Sequence, residues 1–120
     1  MEREIYDLLD RVETVEITTV GRTTGEPRRV EIWMYAIAGR YIITGTPGPR
    51  DWYANLLTNP AMTLHLPGGT DLAATAEPVT DEPFRRAVFT AEKTAWYRGQ
   101  VPVEELIATS PMVEMRFSTH

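Results

Sequence analysis

Residues Glu2 to Val12 place apolar side chains at Ile5, Leu8, Leu9 and Val12, the i, i+3, i+4, i+7 spacing of an amphipathic helix. The opposite face carries Glu2, Arg3, Asp7 and Arg11. Mixed charge of that kind suits packing on a domain; a membrane-surface helix shows a lysine- and arginine-rich face. From Val15 the period drops from 3.6 to two. Val15 to Val20 is β-branched and threonine-rich and predicts a strand. Gly21 to Pro27, with two glycines and a proline, predicts a hairpin loop, and Arg28 to Ile37 a long strand. Its even positions Val30, Ile32, Met34 and Ala36 form an apolar face; the odd positions Arg29, Glu31, Trp33 and Tyr35 form an amphipathic one.

Further along, a tight turn at Gly39 and Arg40 leads into a short strand, Tyr41 to Thr44, and Gly45 to Arg50 is a loop. Asp51 is the expected N-cap of a short helix that turns Trp52, Leu56 and Leu57 inward and ends before Asn59-Pro60. Ala61 to Leu66 alternates Met62, Leu64 and Leu66 inward with Thr63 and His65 outward. Pro67 to Thr70 is a hairpin signal, and Leu72 to Pro78 returns as a strand with Leu72, Ala74 and Ala76 on one face. Thr80 or Asp81 starts a helix running to about Tyr97 with Phe84, Val88 and Ala91 as its stripe, stopped by Gly99. A short helix over Pro102 to Ala108 precedes a last strand, Met112 to Phe117, with Val113, Met115 and Phe117 inward. Six short strands joined mostly by turns predict a mainly β, α+β fold: a six-stranded antiparallel barrel with peripheral helices.

A chain of 120 residues without internal repeat, linker or low-complexity segment is expected to be one domain. It has no cysteine, which excludes disulfides and zinc–cysteine sites and suits a reducing, cytoplasmic setting. No apolar run approaches a membrane span, and MEREIYDLL is too charged for a signal peptide, so stable membrane insertion is not expected. A net charge of −5 argues against nucleic acid. Yet Arg22, Arg28, Arg29, Arg40 and Arg50 all fall in the central stretch, as befits either solvated strand ends or a small anionic ligand.

The two histidines, His65 and His120, lack a paired carboxylate motif, so no metal site is expected and His65 reads as a solvent-facing strand residue. There is no GxSxG, P-loop or GxGxxG. Glu104 and Glu105 read as a solvated helix face. A chain this poor in catalytic side chains, if an enzyme, leaves the chemistry to a bound cofactor and supplies binding and orientation.

The segments TTVGRTTGEPR (Thr18 to Arg28), Trp33, and WYANLLTNP (Trp52 to Pro60) resemble the deazaflavin-dependent nitroreductase and quinone reductase family. That family belongs to the split β-barrel oxidoreductases, the superfamily of pyridoxamine phosphate oxidase. The resemblance implies a cofactor in a groove on the barrel, with coenzyme F420 passing a hydride to a quinone-, enone- or nitroaromatic-like acceptor. By the same resemblance Arg22, Thr23, Thr24 and Arg28 hold the phosphate-bearing tail, and Trp33 lies near the ring and the small-molecule acceptor. Thr44, Gly45, Thr46 and Arg50 contact the ring and phosphate side, with Trp52 and Asn55 opening the helix behind them. Arginine forks and threonine hydroxyls are apt phosphate donors.

Three departures from the family pattern matter. Thr23 stands where the family commonly has lysine. The loop TGTPGPRD resembles the flavin mononucleotide (FMN) branch, and with FMN goes a homodimer burying the groove. Of the family's tyrosine-rich lid only Trp96 and Tyr97 are candidates. A non-catalytic flavin or small-ligand binder is a third reading. Strand parity also separates Arg28 from Trp33: either a bulge near Pro27 realigns Arg28, or Arg29, which shares the Trp33 face, meets the cofactor.

Overall fold

A computed structural model describes residues 2–118; His120 lies outside them. Six antiparallel strands close into a barrel in the order β1-β2-β3-β6-β5-β4. They are β1 (Thr14–Val20), β2 (Pro27–Ile37), β3 (Arg40–Thr44), β4 (Ala61–Leu66), β5 (Thr70–Pro78) and β6 (Met112–Phe117). Five helices decorate it: α1 (Arg3–Arg11), α2 (Asp51–Thr58), α3 (Glu82–Thr90), α4 (Ala95–Arg98) and α5 (Val103–Thr109). Among the described residues no helix is long and apolar enough to cross a membrane.

The period-two pattern fills the barrel. Val15 and Ile17, Ile32 and Met34, Ile43, Met62 and Leu64, Ala74 and Ala76, Val113 and Met115 meet inside it. Leu9 of α1 and Trp52 and Leu56 of α2 complete the same core. Leu57, expected to face inward, is 55% exposed, because an eight-residue helix has only one stripe to give the barrel and Leu56 takes it. Asp51 is the first helical residue and makes no capping bond; Arg50 holds the cap position in extended conformation. The turn before β3 is Ala38-Gly39, both at positive φ, so Arg40 already belongs to the strand.

A second core lies outside the barrel. Tyr35, Ile42 and Met112 project from the strands onto Phe84, Val88 and Phe89 of α3, Tyr97 of α4, and Leu106 and Ile107 of α5. Neighbouring residues of β3 and β6 are thus buried on both faces, as in a sheet covered by helices. The helix expected to run to Tyr97 instead breaks at Ala91, which is extended. The carbonyls left open at that end are satisfied from downstream. Thr94 Oγ1 donates to Val88 O at 2.5 Å, and Arg98 Nη1 donates to Phe89 O at 2.7 Å and Ala91 O at 2.9 Å. The break turns Tyr97 onto Tyr35, whose ring centroid lies 6.0 Å away.

His65 is not the open strand residue its position implies. Its Nε2 lies 2.6 Å from Thr18 Oγ1 and its Nδ1 2.8 Å from Asp71 Oδ1, so neighbouring strands shield it.

Double-sided burial of β3 predicts that Ile42→Ala and Ile43→Ala each cost about 2–5 kcal/mol, the range for truncating a core isoleucine. Urea unfolding measures both. A loss below about 1 kcal/mol for Ile42→Ala alone would mean that the helical layer does not pack as described.

Candidate functional site

The β1–β2 hairpin and the first turns of α2 form the two walls of a cleft of about 630 Å³. Its lining includes Arg22, Thr23, Thr24, Arg28, Trp52 and Asn55, all predicted from sequence, together with Thr19, Gly21, Val30 and Asp51. The hairpin keeps its shape through Gly21 and Gly25 for different reasons. A Cβ on Gly21 would sit 2.8 Å from Thr24 Oγ1 and 3.2 Å from Glu26 O, so a side chain there would displace the Thr24 hydroxyl and press on the Glu26 carbonyl. Gly25 has φ +71°, a conformation that favours glycine.

Asn55 joins the walls. Buried on α2, it accepts from Arg22 N at 3.0 Å and Arg22 Nη1 at 2.9 Å, and its Nδ2 donates to Thr19 Oγ1 at 3.1 Å. Arg22 Nη2 also reaches Asp51 Oδ1 at 3.2 Å, so Asp51 partly neutralises it. Arg28 is different. Its only partner among the described residues is the neutral Thr24 Oγ1 at 3.4 Å, which leaves a cleft-lining guanidinium without a carboxylate.

The parity question resolves without a bulge. β1 and β2 pair in one unbroken register from Thr14↔Trp33 to Val20↔Pro27. Arg28 and Val30 therefore face the α2 cleft, while Arg29 points to the other side and pairs with Glu16 at 2.6 Å. Trp33 shares that other side. It is 40% exposed and meets Trp96 and Tyr97 edge-on, with centroids 5.5 and 6.2 Å away.

The loop before α2 links the two regions. Arg50 donates from Nη2 to both Thr46 O and Thr46 Oγ1 at 2.9 Å, and from Nη1 to Pro49 O. Its charge is near enough to Tyr97 to work against the rise in that phenol's pKa that burial causes. Burial also raises the pKa of Tyr35, which donates to Tyr97 Oη at 3.2 Å, so both phenols are neutral at pH 7. Gly45 lies against the Arg50 guanidinium. Thr44 does not join the site: it is buried and its hydroxyl donates to Pro111 O at 2.7 Å, tying β3 to the start of β6.

Sequence reasoning missed Thr19, Asp51 and, beyond α2, Arg85. Arg85 is 8% exposed, and burial lowers its pKa. Its position three and four residues before Val88 and Phe89, on the apolar stripe of α3, is the signal that could have found it.

Replacing Asn55 by Ala orphans the Arg22 N–H and the Thr19 hydroxyl, and is expected to cost about 1–3 kcal/mol of stability. Asn55→Asp keeps both acceptor bonds to Arg22 and loses only the donor to Thr19, so it should cost less. Denaturant unfolding of the pair checks the order; equal losses would deny that Asn55 acts mainly through Arg22.

A family model, F420H(2)-dependent quinone reductase, matches residues 2–103. A search of the curated proteins found no match. Among solved structures, an F420-H2 dependent reductase (FDR-A) superposes with TM-score 0.62 at 21% identity, covering 87% of this chain and 94% of that one. A pyridoxamine 5'-phosphate oxidase candidate from Listeria innocua gives TM-score 0.73 at 11% identity, covering 97% and 92%. The Agrobacterium tumefaciens protein Atu2129, of unknown function, gives 0.67 at 15% identity; 93% of this chain matches, spanning about half (51%) of that longer one. At these identities the structural neighbours establish the split-barrel fold alone. The family model decides between the cofactors and between enzyme and mere binder: the chain belongs to the F420H(2)-dependent quinone reductase family, an oxidoreductase whose cofactor is F420.

Proposed function

We propose that the chain reduces a quinone-, enone- or nitroaromatic-like acceptor bound beside Trp33, with the phosphate-bearing tail of F420 held in the hairpin–α2 cleft. The observation that carries this reading is Arg28, a guanidinium in that cleft with no carboxylate among the described residues. The cleft fits such a group in other respects too. Thr23 and Thr24 offer hydroxyls, and Gly21 keeps the turn drawn in against Thr24 and Glu26.

F420H2 held there would supply a hydride, and a proton from solvent would complete the reduction of the acceptor. The chain's own residues do the holding. Arg28 gives a two-pronged contact to a phosphate, and Arg22, already half neutralised by Asp51, is the weaker second cation. The opening turn of α2 would offer free backbone N–H groups to an anionic group held in the cleft. Arg50 is preorganised by Thr46, and its charge reaches Tyr97 of the aromatic cluster, so it suits the end of the tail nearer the ring. Trp33 and Trp96 offer exposed π faces to a flat acceptor, and the neutral Tyr97 closes the wall behind them. A cytoplasmic setting and a homodimer belong to the same proposal; sedimentation velocity separates dimer from monomer.

Arg28→Ala and Arg50→Ala should each weaken F420 binding roughly ten- to hundredfold, the loss of a hydrogen bond to a charged group. Without cofactor Arg28→Ala should change stability by less than about 0.5 kcal/mol, whereas Arg50→Ala also loses its hydrogen bonds to Thr46 and Pro49 and is read on affinity alone. Arg40→Ala cannot serve as an inert control, because Arg40 pairs with the buried Glu114 at 2.7 Å and lies over the Phe84 ring at 3.6 Å. Arg11→Ala, at an exposed helix end, can. Fluorescence titration of F420 gives the affinities, and unchanged binding in Arg28→Ala would remove the tail from this cleft.

A further inference from the structure

On the far side of α2 a second pocket, of about 820 Å³, opens between α2, α3 and α5. Four guanidiniums line it, and two of them are already matched: Arg22 by Asp51, Arg86 by Glu82 and Glu104. The other two, Arg50 and Arg85, bond only to neutral oxygens. Arg85 donates from Nε to Ile107 O at 2.6 Å, from Nη1 to Val79 O at 2.9 Å and from Nη2 to Ser110 O at 2.6 Å. A guanidinium has five N–H donors, so two remain unspent. The residue is 8% exposed, and a buried cation without a counter-anion is costly.

An independent observation points the same way. Ser110, also on this pocket's wall and 4% exposed, has a buried Oγ with no hydrogen-bond partner, the sole side-chain atom in that state among the described residues. Buried hydroxyls are almost always satisfied, so the Ser110 hydroxyl has spare capacity for a partner that is not one of the chain's own described groups. Leu57, Val79 and Ile107 give the same pocket apolar walls.

We propose that this pocket is a second ligand site, separate from the cofactor cleft, for a small organic carboxylate. The carboxylate lies on Arg85 and the Ser110 hydroxyl, and the apolar body lies along Leu57 and Ile107. Arg85 also clamps the end of α5 through Ile107 O and Ser110 O, but neutral carbonyls alone account neither for its unmatched charge nor for the idle hydroxyl beside it. Burial lowers the pKa of Arg85, with Tyr53 opposing, so a carboxylate that arrives there relieves the desolvation of the cation.

The test uses sodium benzoate on the cofactor-free chain, by calorimetric titration at constant ionic strength, with neutral benzyl alcohol as the control. Saturable benzoate binding with a dissociation constant below about 10 mM, and benzyl alcohol at least about tenfold weaker, is expected. Arg85→Leu should abolish benzoate binding. Since that variant can also loosen α5, Leu57→Glu supplies the second reading: this exposed position tolerates substitution, and its new carboxylate at the rim should weaken benzoate about tenfold while leaving F420 affinity unchanged. Absence of saturation, equal binding of benzyl alcohol, or a Leu57→Glu affinity equal to that of the parent would each overturn the site. In turnover with F420H2, benzoate inhibition that weakens about tenfold in Leu57→Glu belongs to this pocket, whereas inhibition equal in parent and variant belongs to the acceptor face at Trp33 and counts against the site. Failure of the site would leave F420 binding, measured separately, untouched.

Discussion

A single buried amide fixes the relation of the hairpin to α2, and the candidate site depends on it. Asn55 accepts two hydrogen bonds from Arg22 and donates one to Thr19, so one side chain joins the helix to β1 and to the loop that follows it. Without that tie the GRTTGEPR hairpin would keep its own turn, closed from Gly21 N to Glu26 O at 2.8 Å, but not its position against α2. With it, Arg28 is presented toward a wall whose own groups are already occupied. The barrel strengthens the arrangement, since Trp52 and Leu56 of the same helix are part of its core. Rigidity of this kind suits the proposed function, in which the bound cofactor supplies the chemistry and the chain the placement.

The division of the arginines follows from the same geometry. An arginine facing a carboxylate is spent on structure, as Arg29 is on Glu16, Arg40 on Glu114 and Arg116 on Glu77. Arg28, Arg50 and Arg85 are held by hydroxyls and carbonyls and keep their charge for something else. An acidic chain can in this way show a strongly basic face locally. Net charge says little about such a site; pairing decides it.

Much of this was legible in the chain. Period-two runs placed all six strands, because each has one face in the barrel, and the GRTTGEPR and WYANLLTNP segments marked both walls of the cleft. What escaped has identifiable causes. The break at Ala91 carries no glycine or proline; it exists because Thr94 and Arg98, several residues on, satisfy the carbonyls of α3. Thr44 looked like a loop-end hydroxyl, yet the partner that buries it, Pro111, is 67 residues away. Arg28 and Arg29 could not be told apart while the location of the cleft was open, since parity gives opposite faces but not which face carries the ligand. Arg85 was invisible as a site residue because its partners come from Val79, Ile107 and Ser110, which only the fold assembles.

The central claim is that a cofactor-bearing cleft and an acceptor surface sit on one small barrel that has no catalytic side chain of its own. Single-turnover oxidation of protein-bound F420H2 by a soluble naphthoquinone, followed by the return of F420 absorbance, tests it most directly. The account predicts a saturable rate in quinone that drops at least about tenfold in Trp33→Ala, with F420 affinity unchanged. Absence of bound F420 at high-micromolar concentration, or bound cofactor oxidised no faster than in free solution, would contradict it.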